Sequence, residues 1–183
     1  MGGVSLSPGD TIGPYRYERA IGRGGMSYVL LARDPGGGVV ALKVLKANRF
    51  RTGLVRFRWE FRALARLKHP NVIRVESYGD IHGHPYIAME YVEGTDLYHE
   101  IRGFSRTDLQ ARWARVEEVL IELARALAYI HGRGLGHRDL KPSKVLISTQ
   151  GVCKLTDFGI VKELDPEADV QLSTTLVGTR AYA

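Results

Sequence analysis

Four short stretches of the chain hold residue types suited to chemistry. Gly22-Arg23-Gly24-Gly25-Met26-Ser27-Tyr28-Val29 places three glycines in a turn, where a backbone can approach a ligand without a Cβ in the way. Lys43 closes the apolar run Val40-Ala41-Leu42. His137-Arg138-Asp139-Leu140-Lys141-Pro142 holds a carboxylate and an ammonium close together, and Asp157 opens Asp157-Phe158-Gly159. Taken singly, most have plain readings: a glycine-rich hairpin without a ligand, the solvent-facing end of a strand, a turn tripeptide. Their order along one chain gives them weight.

The elements that must position these residues are legible from pattern. Residues 1–14, rich in Gly, Ser and Pro, read as a flexible leader. Three β-like runs follow at 15–21, 26–33 and 39–45, separated by glycine-rich turns. Residues 54–67 carry Leu54, Phe57, Phe61, Leu64, Ala65 and Leu67 at mostly helical spacing, and His69-Pro70-Asn71 stops that helix. A strand pair is predicted at 72–78 and 86–89. Beyond the break at Glu93-Gly94 come a short helix at 96–101 and a longer one at 116–131. Val119, Leu120, Leu123, Leu127 and Ile130 form the apolar face of the longer helix. A last β-like run at 152–155 precedes Asp157.

A length of 183 residues suits one ordinary domain with a real core. Hydrophobic content of 44% and charged content of 25% are globular values and argue against a disordered chain. The single cysteine, Cys153, excludes an intrachain disulfide and favours a reducing cytoplasm. No apolar run approaches the ~20 residues of a membrane span, and no signal-peptide pattern opens the chain. The net charge of +6 reads as a solvated face rather than a nucleic-acid footprint. The basic stretch 49–68 has apolar spacing that suits a helix packed on a sheet, without the aromatics that stack bases.

In combination and in this order, the motifs resemble the signature set of the protein-kinase family. From residue 15 onward the chain resembles a bacterial eukaryotic-like Ser/Thr protein kinase catalytic domain. The fold this implies is α+β and two-lobed. The small lobe, 15–89, would be a five-stranded antiparallel sheet plus one helix. A hinge would span 90–94, and 95–183 would be an incomplete helical large lobe with the catalytic loop and activation segment.

The resemblance also implies roles. ATP would lie under the loop Ile21, Gly22, Arg23, Gly24, Gly25, Met26, Ser27, Tyr28 and Val29, its phosphates paired with Lys43 and Lys43 oriented by Glu60. The adenine pocket would be lined by Ile21, Val29, Ala41, Met89 and Leu146, with backbone groups of Glu90 and Val92 at the adenine edge. Asp139 would align the attacking hydroxyl and accept its proton, and Lys141 would neutralise charge on the transferring phosphoryl group. Lys141 also points to Ser/Thr specificity. Asp157 would chelate Mg2+, and His137 would be a buried packing residue. Leu64, Val75, His137 and Phe158 would stack. Ser173, Thr174 and Thr175 are candidate activation-loop phosphosites. The implied partners are ATP, a protein substrate offering Ser or Thr, and a second kinase copy; nucleic acid and a membrane segment are not implied.

The chain departs from the family pattern in four places. Ser27 stands for the third loop glycine, and Gly136 for an apolar β-branched residue. Lys144 stands where the family has a metal-binding Asn. An ammonium ~5 Å from a divalent ion would be repelled by ~6–7 kcal/mol at an effective dielectric of 20, an upper figure because the flexible stem can carry the charge into water. Lys144 is therefore expected to weaken the second metal site and impair catalysis while sparing ATP binding. The sequence ends before the family's Ala-Pro-Glu motif, so these residues alone are expected to be marginally stable and inactive. The alternative reading is a pseudokinase-like module that binds nucleotide or a partner and catalyses nothing.

Overall fold

The computed structural model describes residues 6–25, 27–46, 58, 61, 62, 64–81, 84–103 and 109–157. The chain divides into two compact units: residues 1–66 with 74–91, and residues 67–73 with 92–183.

The first unit is built on β1 (Thr11–Ile12), β2 (Tyr15–Arg23), β3 (Ser27–Arg33), β4 (Val39–Leu45), β5 (Val75–Ile81) and β6 (His84–Glu90). These form one antiparallel sheet in the order β1-β2-β3-β4-β6-β5. The sequence predicts five strands; the sixth is β1, drawn from the stretch read as a leader. It exists because Ile12 is fully buried and pairs with Tyr15. Burial of one large aliphatic side chain and the amide of Tyr17 donating to Asp10 hold the entry of the chain against the sheet.

Paired residues of antiparallel neighbours point to the same face, and successive residues to opposite faces. Leu30, Ala32, Val40, Leu42, Val44, Tyr86 and Ala88 therefore share one face and form a continuous core with Ile12, Tyr15 and Ile81. Tyr15 meets Tyr86 edge-on at 5.9 Å and shares a 2.7 Å hydrogen bond with Ser77, so its polar tip is satisfied. The opposite face carries Val29, Leu31, Ala41, Lys43, Ile87 and Met89, brought into register by the pairs Val29–Lys43, Leu31–Ala41, Lys43–Ile87 and Ala41–Met89. Of the helix predicted at 54–67, Arg58, Phe61, Arg62 and Leu64 are helical among the described residues. Phe61 packs on Tyr78 at 5.4 Å between ring centres.

The second unit holds α1 (Leu97–Gly103), α2 (Leu109–His131), a single 3-10 turn at Pro142–Lys144, and the antiparallel sheet β7 (Gly94–Asp96), β8 (Val145–Ser148) and β9 (Cys153–Leu155) in that order. The Asp96 carboxylate accepts from the His99 amide and caps α1. Residues 71–73 run alongside β9: the Ile73 amide donates to the Leu155 carbonyl, and the Leu155 amide to that of Asn71. Buried Asn71 donates through Nδ2 to Glu122 at 3.0 Å and to the Cys153 carbonyl at 2.9 Å. The Cys153 amide in turn donates to Glu122. This polar knot joins α2, β9 and the 67–73 segment. Burial beside Glu122 pushes the Cys153 thiol up to about 12, so it stays protonated and inert.

The structure corrects the expected face of the long helix. Val119 and Ile130 are buried as predicted, but Leu120 is 57% exposed and Ala126 takes the central buried position. Positions 119, 126 and 130 are separated by whole turns, whereas 120 lies about 100° round the axis from 119. The helix also begins well before the predicted start, at Leu109.

Among the described glycines of the second unit, Gly94 makes the tightest backbone approach. A Cβ there would lie 1.9 Å from the Ile147 carbonyl oxygen, a backbone atom of the paired strand that cannot move alone. Gly94→Ala is expected to destabilise the chain by roughly 1–3 kcal/mol. Gly103→Ala, with nothing within 4 Å of the added methyl, should stay within about 0.5 kcal/mol. Chemical denaturation of the two variants checks both.

Candidate active site

In the second unit, the residues of the candidate catalytic loop, 137–144, are placed by the backbone of Thr156. The Thr156 amide donates to the Lys144 carbonyl at 2.9 Å. Its carbonyl accepts from His137 Nε2 at 3.0 Å. A carbonyl can only accept, so Nε2 carries the proton. So anchored, His137 is buried, as a packing residue should be. The two bonds stitch residues 137–144 to the end of β9. Pro142 opens the 3-10 turn with its fixed φ, and the Lys144 amide closes it on the Lys141 carbonyl at 2.8 Å.

This stitching gathers four charged side chains. Lys141 lies 3.2 Å from Asp139. Lys144 donates to and pairs with Asp157. Two of the local backbone conformations are costly: Arg138 and Asp157 have φ of 58° and 55°. Non-glycine residues in this region carry strain of order 1–3 kcal/mol each and persist where surrounding structure over-determines them. Here Asp139's amide bonded back to the His137 carbonyl and the Thr156 bridge supply that constraint. Leu146 stands on β8, directly after Val145, whose partner across the ladder is Leu155.

In the first unit, Val29, Ala41, Lys43 and Met89 share the sheet face described above. Gly22 pairs with Val29, and Ile21 sits where the β2–β3 register slips between Ala20 and Gly22. The glycine turn is closed by the Gly24 amide on the Ser27 carbonyl at 2.9 Å. Lys46 donates to the Gly24 carbonyl and stands over the Tyr28 ring at 4.6 Å, with Arg23 against the same ring at 5.7 Å. Sequence reading missed this aromatic–cation clamp; no local pattern links position 46 to position 24. The Glu90 amide is engaged by the Arg74 carbonyl. Met26, Glu60, Phe158, Ser173, Thr174 and Thr175 lie outside the described residues, and with them part of the predicted Leu64, Val75, His137 and Phe158 stack. Val92 belongs to the second unit.

The residues at positions 144 and 157 supply only part of what the implied magnesium ion would need. Asp157 offers carboxylate oxygens of the right kind. Lys144 cannot ligate as an ammonium, since it has donors and no acceptor, and it already engages the Asp157 carboxylate. No group of three or more His, Cys, Asp and Glu side chains gathers among the described residues. The set does not fit a metal held jointly by positions 144 and 157.

Burial holds the His137 imidazole below its ordinary value of 6.5, with the hydrogen bond to Thr156 and the charge of Asp139 opposing. The unfolded chain therefore takes up a proton near 6.5 that the folded chain refuses. Stability from this group is full above that value and is lost as the pH falls below it. His69, lowered by burial and by Arg133 and Arg125, acts in the same sense. Urea midpoints measured between about pH 7.5 and 5.5 should fall on acidification. His137→Phe should show a flatter slope, whatever its stability at neutral pH.

A protein kinase domain family matches residues 15–183. The chain is 37% identical over 174 residues to the probable serine/threonine-protein kinase PknB of Lactococcus lactis, covering 92% of this chain and 27% of that protein. It is 38% identical over 189 residues to PknA of Mycobacterium tuberculosis, covering 98% of this chain and 41% of that protein. The chain thus spans well under half the length of these relatives. The crystal structure of the Mycobacterium tuberculosis PknI kinase domain superposes with a TM-score of 0.71 at 34% identity, over 85% of this chain and 64% of that one. The chain therefore belongs to the protein kinase family, as part of a serine/threonine kinase catalytic domain of the bacterial type.

Proposed function

We propose that this chain supplies the nucleotide-binding lobe and catalytic loop of an ATP-dependent Ser/Thr protein kinase. In this reading 15–89 is the small lobe, 90–94 the hinge and 95–183 the start of the large lobe. The observation that carries it is the stitching of the segment 137–144, with Asp139 and Lys141, to Thr156, which follows β9 and precedes Asp157. The face bearing Val29, Ala41, Lys43 and Met89 receives adenosine. The glycine turn and Lys43 hold the phosphates, and Glu60 orients Lys43.

The transfer follows from these groups. A substrate Ser or Thr oxygen attacks the γ-phosphorus, the bond from that phosphorus to the ADP oxygen breaks, and the hydroxyl proton passes to the Asp139 carboxylate. Asp139 also sets the direction of attack, which is where most of the acceleration of such a reaction arises. Lys141, placed beside Asp139, stabilises negative charge on the phosphoryl oxygens. Magnesium is the metal that accompanies ATP in this reading. Ser173, Thr174 and Thr175 are the candidate sites for phosphorylation of the chain itself, and a second copy of the kinase is the partner that would deliver it. A cytoplasmic location is supported by the lone buried thiol; no helix of the described residues is long and apolar enough to cross a membrane.

A second reading, nucleotide binding without transfer, draws on one observation, the Lys144–Asp157 pair. One assay separates them. The full-length protein should transfer labelled phosphate from ATP to a Ser/Thr protein substrate. Asp139→Asn should slow that transfer by about 10²–10⁴-fold while leaving ATP binding in place. Nucleotide binding with no transfer by the unaltered protein would select the second reading.

A further inference from the structure

We propose that Lys144 is a built-in counter-ion of Asp157, so that nucleotide binds here with little help from magnesium and a divalent ion reaches Asp157 only by displacing an ammonium. The inference rests on the kinase reading of the site and adds to it a weakened magnesium dependence that the family resemblance alone does not give.

The pair is set by backbone geometry rather than by chance contact of two long side chains. Lys144 closes the 3-10 turn through its amide, and its carbonyl accepts from Thr156. The next rung of the ladder pairs Val145 with Leu155. Lys144 and Asp157 thus flank the same end of β8 and β9, one residue before the first strand and two after the second. Their side chains are only 22% and 27% exposed. An ammonium so placed does not have the free run into water that its stem would allow at an open surface.

Charge and lone-pair chemistry then decide what the site prefers. A family Asn would bring a neutral oxygen that adds to the field of Asp157 and helps hold a cation. Lys144 brings a positive charge and no lone pair, and it neutralises part of the Asp157 charge that a metal would need. Two cations compete for one carboxylate. The same ammonium carries three donors, one directed to Asp157, and so can also meet a phosphate oxygen of the nucleotide. It does part of what a metal does there, neutralising charge, without the coordination that makes a metal exchangeable.

The test is calorimetric titration of the full-length protein with a non-hydrolysable ATP analogue, in EDTA and in saturating magnesium. The unaltered protein should show affinities that agree within about threefold between the two conditions, and Lys144→Asn should bind at least about tenfold more tightly with magnesium than without. Lys144→Met, which keeps the stem and removes the charge, should lose about tenfold in EDTA. It also guards against a fold defect peculiar to the Asn variant. A magnesium gain in the unaltered protein as large as that of Lys144→Asn overturns the proposal, as does an unchanged EDTA affinity in Lys144→Met. Binding by no form in either condition overturns the ATP-site reading, and this inference with it.

Discussion

The arrangement of the proposed catalytic loop depends on one peptide unit, that of Thr156. Its amide and carbonyl reach two different parts of the loop, the carbonyl of Lys144 and the imidazole of His137. Thr156 and His137 are both buried, which makes the bonds costly to break and keeps the loop in one conformation. Two left-handed residues are tolerated on that account, since an otherwise unfavourable backbone survives only where its surroundings leave no alternative. The chemistry assigned to Asp139 and Lys141 requires fixed direction more than unusual acidity, and rigid anchoring provides direction.

In the first unit the corresponding constraint is alternation. A sheet whose odd and even residues serve different purposes cannot slip by one register without exchanging them. Ile12, Leu30, Leu42 and Tyr86 offset the conformational cost of folding by their burial on one side. That frees the other side to carry Lys43 between Val29 and Ile87, a charged residue on a largely apolar strand. The glycine turn is then steadied by Lys46 and Arg23 against Tyr28 and by Lys46 on the Gly24 carbonyl.

Much of this was legible in residue pattern, and the exceptions have physical reasons. The strand at 39–45 was readable to the residue because a run of β-branched and aliphatic side chains, interrupted by Lys43 alone, has few other uses. The two-residue β1 was not, since its sequence has turn composition and its stability comes from Ile12 entering a core formed by distant strands. The first two turns of α2 were missed because Gln110, Arg112 and Arg115 interrupt any apolar stripe there. Lys144 was recognised as a departure, but only its repulsion of a metal could be reasoned from sequence. Its attraction to Asp157, thirteen residues on, depends on the β8–β9 register. Motif order identifies which groups take part; strand register decides which of them meet.

The path of the chain between the two units has a consequence for how such domains can be inherited. Residues 67–73 lie in sequence between strands of the first unit, yet Asn71, Val72 and Ile73 are bound to Glu122, Cys153 and Leu155 of the second. A recombination event with a single crossover after Tyr91 would transplant the sheet together with a strip of sequence fitted to the helix and strand it had left behind. Asn71 would arrive with its buried amide facing unmatched residues. Exchange of halves at that point therefore costs the buried Asn71–Glu122 hydrogen bond, whereas the backbone bonds to Cys153 and Leu155 ask only that a strand lie there, whatever its side chains.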